Sequence, residues 1–381
     1  VIRLERRVER PKWVMVAVPV LSLLAALLAG ALLLSVSGND ALDTYERILD
    51  RAIFSDGALT STFVAATPLL FTGLAAAVAF RMGIFNIGGE GQLIMGAVGA
   101  SGAALALTDQ SPALVLVAMI AAGAAAGAAW AGIAGALRAW LNTNEIITSL
   151  MLNYLAANLA GYLIFGTKSH WRKLEGSGLM FPQGRPIAMD HYWQPIQLGS
   201  VSVPLGFVIG AVVAVVLLIV FRRTRFGFQV TVIGDEPRAA RYSGIRTKRT
   251  IFGLMALSGA MAGLGGASDI GDSRHVLDPK GLGQAGYGYT GIVVAALARL
   301  NPVAVVFTAL VMGGLNNAGR ALQGPDFPAG LVGTLQAMLL IFTLAGELFT
   351  RYRVRLPSRT AKDPAPADHD QPSEPAMGAE A

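Results

Sequence analysis

The chain has 381 residues, 54% of them hydrophobic and 14% charged, where a soluble domain carries about 25% charged residues. Its net charge is +6 and it has no cysteine, which removes disulfides, thiolate chemistry and Cys-ligated metals. The apolar residues fall in long blocks nearly free of charge, as a helix rising ~1.5 Å per residue needs to cross a hydrocarbon core of ~30 Å. A soluble enzyme, a disordered chain and a nucleic-acid binder are excluded as whole-chain readings. So is an outer-membrane barrel, whose strands alternate over ~10 residues.

In chain order the blocks predict ten helical spans near 13–36, 61–80, 91–107, 113–137, 145–165, 204–221, 251–267, 286–299, 302–316 and 330–349. The class expected is an all-α polytopic membrane protein. Arg3, Arg6, Arg7, Arg10 and Lys12 precede the first span, which exceeds the 7–15 residues of a signal-peptide core and reads as an uncleaved anchor. The eighth is short and interrupted by Gly286-Tyr287-Gly288. With the N-terminus inside, 21 of the 30 Lys and Arg fall in inside segments. That bias puts both termini in the cytoplasm. Residues 1–356 are read as the membrane domain, with 166–203 an external cap and 222–250 a basic cytoplasmic segment. Proline-rich 357–381 reads as a disordered cytoplasmic tail.

Spans 2–5 and 7–10 make two four-helix sets that start on opposite sides of the membrane. Each has a Gly-rich break, at Asn86 to Gly91 and at Gly281 to Gly291. Inverted repeats with interrupted helices mark transporters, because unwound backbone in a membrane is tolerated where protein or a cavity surrounds it. Frequent glycine in membrane helices is the plainer alternative.

The string Phe80 to Leu93 (FRMGIFNIGGEGQL) sets Asn86, Glu90 and Gln92 between apolar spans. An ionised Glu within a span costs ~2.5–3.5 kcal/mol, so Glu90 should be paired, protonated or water-facing. Arg81 is the nearest candidate partner; the alternative is a polar turn at the interface. In the fifth span Glu145, Ser149, Asn153 and Asn158 fall near one face, as interhelical glue or as the lining of a path. Gly123 and Gly127 are spaced for close helix packing, and Asn316 and Asn317 read as a helix end. In 222–250, Gly234-Asp235-Glu236-Pro237 reads as a helix start capped by Asp, and Gly244 as its end. Ala239 and Ala240 give that helix a small face suited to docking on protein. No G-x-x-x-x-G-K-[ST] string is present, so ATP chemistry falls to another chain and no cofactor is expected.

FNIGGEGQL, NEIITSLMLNYLA, IGDEPRAARYSGI and GYGYTGIVVAALARLNP, in that order, resemble the permease subunit of bacterial ABC importers for nucleosides and simple sugars, over roughly residues 60–345. The resemblance implies a type II importer fold and two permeases, of which the second is not identical to this chain. It also implies two cytoplasmic ATPases and an extracytoplasmic, lipid-anchored or periplasmic substrate-binding protein. It places Phe85, Asn86, Glu90 and Gln92 near the translocation path and Gly234, Ala239, Ala240 and Gly244 in the helix that couples to the ATPase. Asn153, Tyr154 and Tyr287 join the expected path, with Phe85, Tyr154, Tyr287 or Tyr289 able to stack on a base. The wording at 86–92 favours a nucleoside cargo over a sugar or other small metabolite. An ion-coupled secondary transporter working through Glu90 is the reading from a different class.

Overall fold

A computed structural model of the chain describes residues 3–6, 12–323 and 330–355. β1 (Arg3–Arg6) leads into α1 (Lys12–Val36), which turns sharply into α2 (Ala41–Leu49) and a π-turn at Asp50–Phe54. The two arms meet at 118°, so the first external loop expected from sequence is largely helical. Asp40 sets the corner by accepting hydrogen bonds from the Leu42 and Asp43 amides at 2.8 and 3.1 Å. Then follow α3 (Ala58–Phe80), α4 (Gly89–Ala106), α5 (Pro112–Leu141) and α6 (Glu145–Gly161). The Asn144 side chain caps α6 through the Ile146 and Ile147 amides.

The cap ends in a hairpin of β2 (Ile196–Leu198) and β3 (Val201–Val203). Beyond it run α7 (Leu205–Arg223), α8 (Arg225–Asp235), α9 (Pro237–Tyr242) and α10 (Thr247–Ser268), the last extended by a π-turn to Arg274. α11 (Pro279–Ala285) and α12 (Tyr287–Leu297) follow, then α13 (Pro302–Ala321), α14 (Gly330–Arg351) and β4 (Tyr352–Arg355). β4 pairs antiparallel with β1, which puts the described ends of the chain on one side. The fold is therefore mostly, not purely, α-helical. The tail at 357–381 lies outside the described residues.

Each of the ten expected spans coincides with a helix, but they are not equivalent. Six helices are long and apolar enough to cross a membrane alone, and the bent α1–α2 pair is a seventh candidate among the described residues. The eighth expected span is corrected: α12 has 11 residues, a rise of ~16 Å, about half a bilayer core. It is preceded by the short α11, with Gly286 between them at φ 60°. Asn316 and Asn317 do not end a helix either, since α13 continues to Ala321. The Asn317 amide donates to the Arg51 and Ala58 carbonyls at 3.0 and 3.3 Å, and Asn316 accepts from Gln336 at 2.7 Å.

α3 and α10 form the centre, and each is buried along most of its length. α10 packs along α4 and α5, while α3 packs along α12 and α13. The second arrangement reproduces the first with the two sets exchanged, which is the relation an inverted repeat requires. Apolar residues on the periphery, such as Val117, Val212 and Ile219, are more than half exposed and suit contact with lipid tails.

Candidate functional site at the junction of two interrupted helices

After α3 the chain turns at Gly83 (φ 73°), then runs as irregular backbone to α4, buried against α6, α10 and α12. Irregular backbone inside a membrane protein needs every polar group answered from within. Asn86 donates to Gln92 Oε1 at 3.0 Å and to Ser258 Oγ at 2.9 Å, while its Oδ1 accepts from the Gln92 amide at 2.9 Å. Ser258 in turn donates to the Ala75 carbonyl at 2.7 Å. The Ile87 N–H is met by Ser149 at 3.2 Å and the Ile87 carbonyl by the Asn153 amide at 2.9 Å. Asn153 Oδ1 accepts from the Gly91 N–H at 2.8 Å. The polar stripe of α6 thus acts as glue, holding the break open in one conformation.

Glu90 lies in the first turn of α4 and is 4% exposed, so its side chain is shielded from solvent by the protein itself. Its partner is not Arg81. That guanidinium donates to the Leu300 carbonyl at 2.8 Å and covers the Phe221 ring at 4.6 Å. Instead Glu90 Oε2 accepts from the Gly288 N–H at 2.6 Å. Gly288 opens α12, so the carboxylate sits at the N-termini of two half-helices at once, where both dipoles favour negative charge. Its other oxygen, Oε1, is buried with no partner among the described residues. Thr72 of α3 ties the same point by donating to the Tyr287 carbonyl at 2.9 Å.

The fold thus brings Asn86, Glu90, Gln92, Asn153 and Tyr287 together, every one of them buried. It does not bring in Phe85 and Tyr154, which are 48% and 61% exposed. Tyr154 is one residue past Asn153, and the ~100° advance per residue turns it away from the break. Asn158 spends its amide on the Tyr154 carbonyl of its own helix, and Glu145 pairs with Arg138 at 3.3 Å. Sequence reasoning missed Thr72, Ser258 and Gly288. The two hydroxyls resemble any others in apolar helices, but Gly288 lay within the Gly-rich string already singled out.

In the basic segment the start of α9 is capped by Glu236, which accepts from the Arg238 amide at 3.4 Å; Asp235 instead ends α8. Ala239 is exposed, but Ala240 is fully buried within the chain, so the two alanines do not share the exposed small face expected from sequence. Gly234 lies against the end of α3, where a Cβ would stand 2.8 Å from the Arg81 carbonyl. Gly244 closes α9 at φ 73°, a conformation glycine adopts at little cost.

The cap is stitched to the helices beneath it. The Trp171 indole donates to the Val98 carbonyl at 3.0 Å, the Ser202 N–H to Thr60 at 2.9 Å, and Tyr192 stacks on His275 at 3.5 Å. Burial lowers the His275 pKa below the usual imidazole value. The native state therefore resists a proton that the unfolded chain accepts, and cap docking weakens as pH falls below ~6.5. Tryptophan emission of the cap, followed from pH 8 to 5, checks this; His275→Gln should remove part of the change, and an unaltered curve would refute the assignment.

Long apolar helices in two inverted sets, meeting at a buried junction of interrupted segments, define a membrane transport subunit. Residues 58–344 match the profile of the branched-chain amino acid transport system permease component, and the chain belongs to that family. It is similar to the glucose ABC transporter permease TsgB13 of Haloferax volcanii, 34% identical over 378 residues that cover 96% of this chain and 97% of that one. It is similar also to the guanosine ABC transporter permease NupP of Bacillus subtilis, 30% identical over 85% of this chain and 92% of the relative. The nucleoside ABC transporter permease NupB of Lactococcus lactis is 28% identical over 86% and 90%. The chain is thus the permease subunit of an ABC transporter, a transport component and not an enzyme. It works in the membrane with ATPase subunits, and proteins of this class usually take cargo from a substrate-binding protein.

Proposed function

We propose that the chain forms half of the translocation path of an ATP-driven importer for nucleosides, with both termini cytoplasmic. The observation that carries this is the junction: interrupted helices meet inside the protein on uncharged hydrogen-bonding groups, Asn86, Gln92, Ser149 and Asn153, with Glu90 the one carboxylate among them. Such a lining suits a cargo recognised through hydroxyls and base edges better than an ion. A hexose is the second reading, favoured by the match to a glucose permease along 97% of its length. Asn86, Glu90, Gln92, Asn153 and Tyr287 shape the path; Phe85 and Tyr154 stand at its margin. The basic segment faces the ATPase, and a second, non-identical permease completes the path beneath an extracytoplasmic binding lipoprotein. Uptake of labelled adenosine and of labelled glucose, in cells with and without the chain and its partner subunits, tests the reading. Loss of neither uptake on deletion would refute both cargoes.

The coupling assignment makes its own prediction. Ala239 is exposed on α9 and Gly244 has open space around it, so neither position is needed for packing within the chain. Ala239→Asp should cut uptake more than about tenfold while the protein still inserts, an energy of ~1.4 kcal/mol lost at the ATPase contact; Gly244 is left unchanged, because at φ 73° any side chain would strain the backbone. Undiminished uptake with normally co-purifying ATPase would move the contact elsewhere.

A further inference from the structure

Next to the junction, on the cap side, lies a cavity of about 380 Å³, within the size range of small-molecule sites. It is bounded by the start of α3, the π-turn after α10, the start of α12 and the end of α13. Its charged lining residues are Arg274, Arg320 and Asp269, an excess of one positive charge. Arg274 and Asp269 are spent on each other at 2.6 Å, and Arg274 also reaches Asp278 at 3.4 Å and the Gly281 carbonyl at 3.2 Å. The neighbouring carboxylate of Asp272 is not part of the lining; it accepts from the Gly206 amide of α7 at 3.0 Å.

Arg320 differs from both. It is exposed at the end of α13 and has no hydrogen bond or ion pair among the described residues. It follows Gly313 by seven residues, close to two full turns, so it shares the face of α13 that packs on Ala66 of α3. Val311, 64% exposed, is half a turn out of phase with it, so Arg320 is set away from the outward, lipid-suited face. Hydroxyls able to donate stand around the same space. Those of Ser61 and Tyr287 have no partner among the described residues, and Thr60 Oγ accepts the Ser202 N–H at 2.9 Å, which leaves its own O–H to give. Tyr287 is 4% exposed, and a hydroxyl so placed is costly unless a ligand or water meets it. Thr60 and Ser61 lie in the first turn of α3, which adds the positive end of a helix dipole. An uncharged ligand would leave the guanidinium unmatched, and a cation would be repelled by it. The lining lacks a negatively charged acceptor of several hydrogen bonds.

We infer that this cavity is a site for a small oxyanion, a phosphate or carboxylate group held by Arg320 together with the hydroxyls of Thr60, Ser61 and Tyr287. A guanidinium flanked by hydroxyl donors suits such oxygens, since charge-assisted hydrogen bonds are the strong ones. The site goes beyond the import reading and stands whether the cargo is a nucleoside or a hexose. A free solute and a phospholipid headgroup both offer this chemistry, and the setting of Arg320 away from the outward face favours the solute. Tyr287 precedes Gly288, whose N–H holds Glu90, so the anion lies one residue from the contact that joins the half-helices.

The chain has no cysteine, so Ser61→Cys gives it a single thiol at the cavity, and Val64→Cys does the same at a lining position that keeps Ser61. The assembled transporter, with its ATPases, is labelled without ATP in nanodiscs of zwitterionic lipid. Inorganic phosphate or glycerol phosphate should slow maleimide modification of both variants about threefold or more, relative to sodium chloride at equal ionic strength. Thr108→Cys, exposed in the α4–α5 turn, should be unaffected. Glycerol and glucose should protect none of the three. Adding Arg320→Gln should abolish the protection while leaving the thermal midpoint near that of the parent, because Arg320 has no partner to lose among the described residues. Protection in phosphatidylglycerol nanodiscs without added phosphate would assign the anion to a lipid headgroup, and protection confined to added phosphate to a free solute; both support the oxyanion site. Labelling that neither anion slows at either thiol overturns it. Equal protection by glycerol or glucose overturns the ligand class, and protection that survives Arg320→Gln overturns the role of that arginine.

Discussion

Gly288→Ala should reduce uptake to background. A Cβ at this position would collide with the Glu90 backbone nitrogen and stand 2.5 Å from Glu90 Cα, so the ends of α4 and α12 must separate. Backbone cannot yield as a flexible side chain does, and overpacking of this kind costs about 1–3 kcal/mol or more. The separation also stretches the 2.6 Å bond between Glu90 and the Gly288 N–H. A buried carboxyl acceptor stripped of its donor adds a desolvation penalty of ~1–3 kcal/mol. Both losses fall on the point where the two half-helices meet, so activity suffers more than overall folding. Gly283→Ala in α11 is the matched control, because a Cβ there meets nothing within 4 Å. Equal uptake by the two variants would show that the junction is not held closed by this contact.

The second large effect is expected on stability. Gly263→Val should lower the yield of folded protein and its thermal midpoint by the equivalent of about 3 kcal/mol or more. Gly263 of α10 faces Gly123 and Gly127 of α5, and an added Cβ would collide with the Gly123 carbonyl and lie 3.0 Å from Gly127 Cα. Gly96 of α4 closes on the same spot from the third side, against the Gly263 backbone. Three helices therefore cross where no side chain fits. In lipid, helix association relies on this close approach, since apolar side chains gain little by leaving an equally apolar solvent. Gly253→Ala, at a position in α10 with open space, should leave the midpoint near that of the parent. A parent-like midpoint for Gly263→Val would mean the seam can open at small cost.

Together the two glycines explain how the molecule is both firm and poised. The α4–α5–α10 seam is held by close backbone approach at its glycines, while the junction is polar and depends on a few directed bonds. If α4 and α12 move during transport, the contacts that must rearrange are those at Glu90, Gly288 and Thr72, not those along the seam. The unpartnered Glu90 oxygen lies at that same point.

Much of this was legible in the sequence. Apolar blocks located the long helices among the described residues, because the bilayer fixes their length and makes charge within them costly. Gly123 and Gly127 announced a close approach, and the string at 86–92 announced a break. Glu90 was visible as costly, and Asn153 as part of a stripe, from spacing alone. The tertiary structure decided which residues answer one another. Glu90 is satisfied by a backbone N–H 198 residues away, which no local pattern encodes, whereas Arg81, nine positions off, is spent elsewhere. Ala240 turned inward, Tyr154 turned outward, and the eighth expected span proved too short to cross a bilayer, since its 11-residue helix starts at a junction with α4. The sequence by itself determined that this is a helical membrane protein, because solvation by lipid acts on each segment independently. Where its buried polar groups pair was left to the fold, because those bonds form between segments whose separation along the chain carries no information about their distance in space.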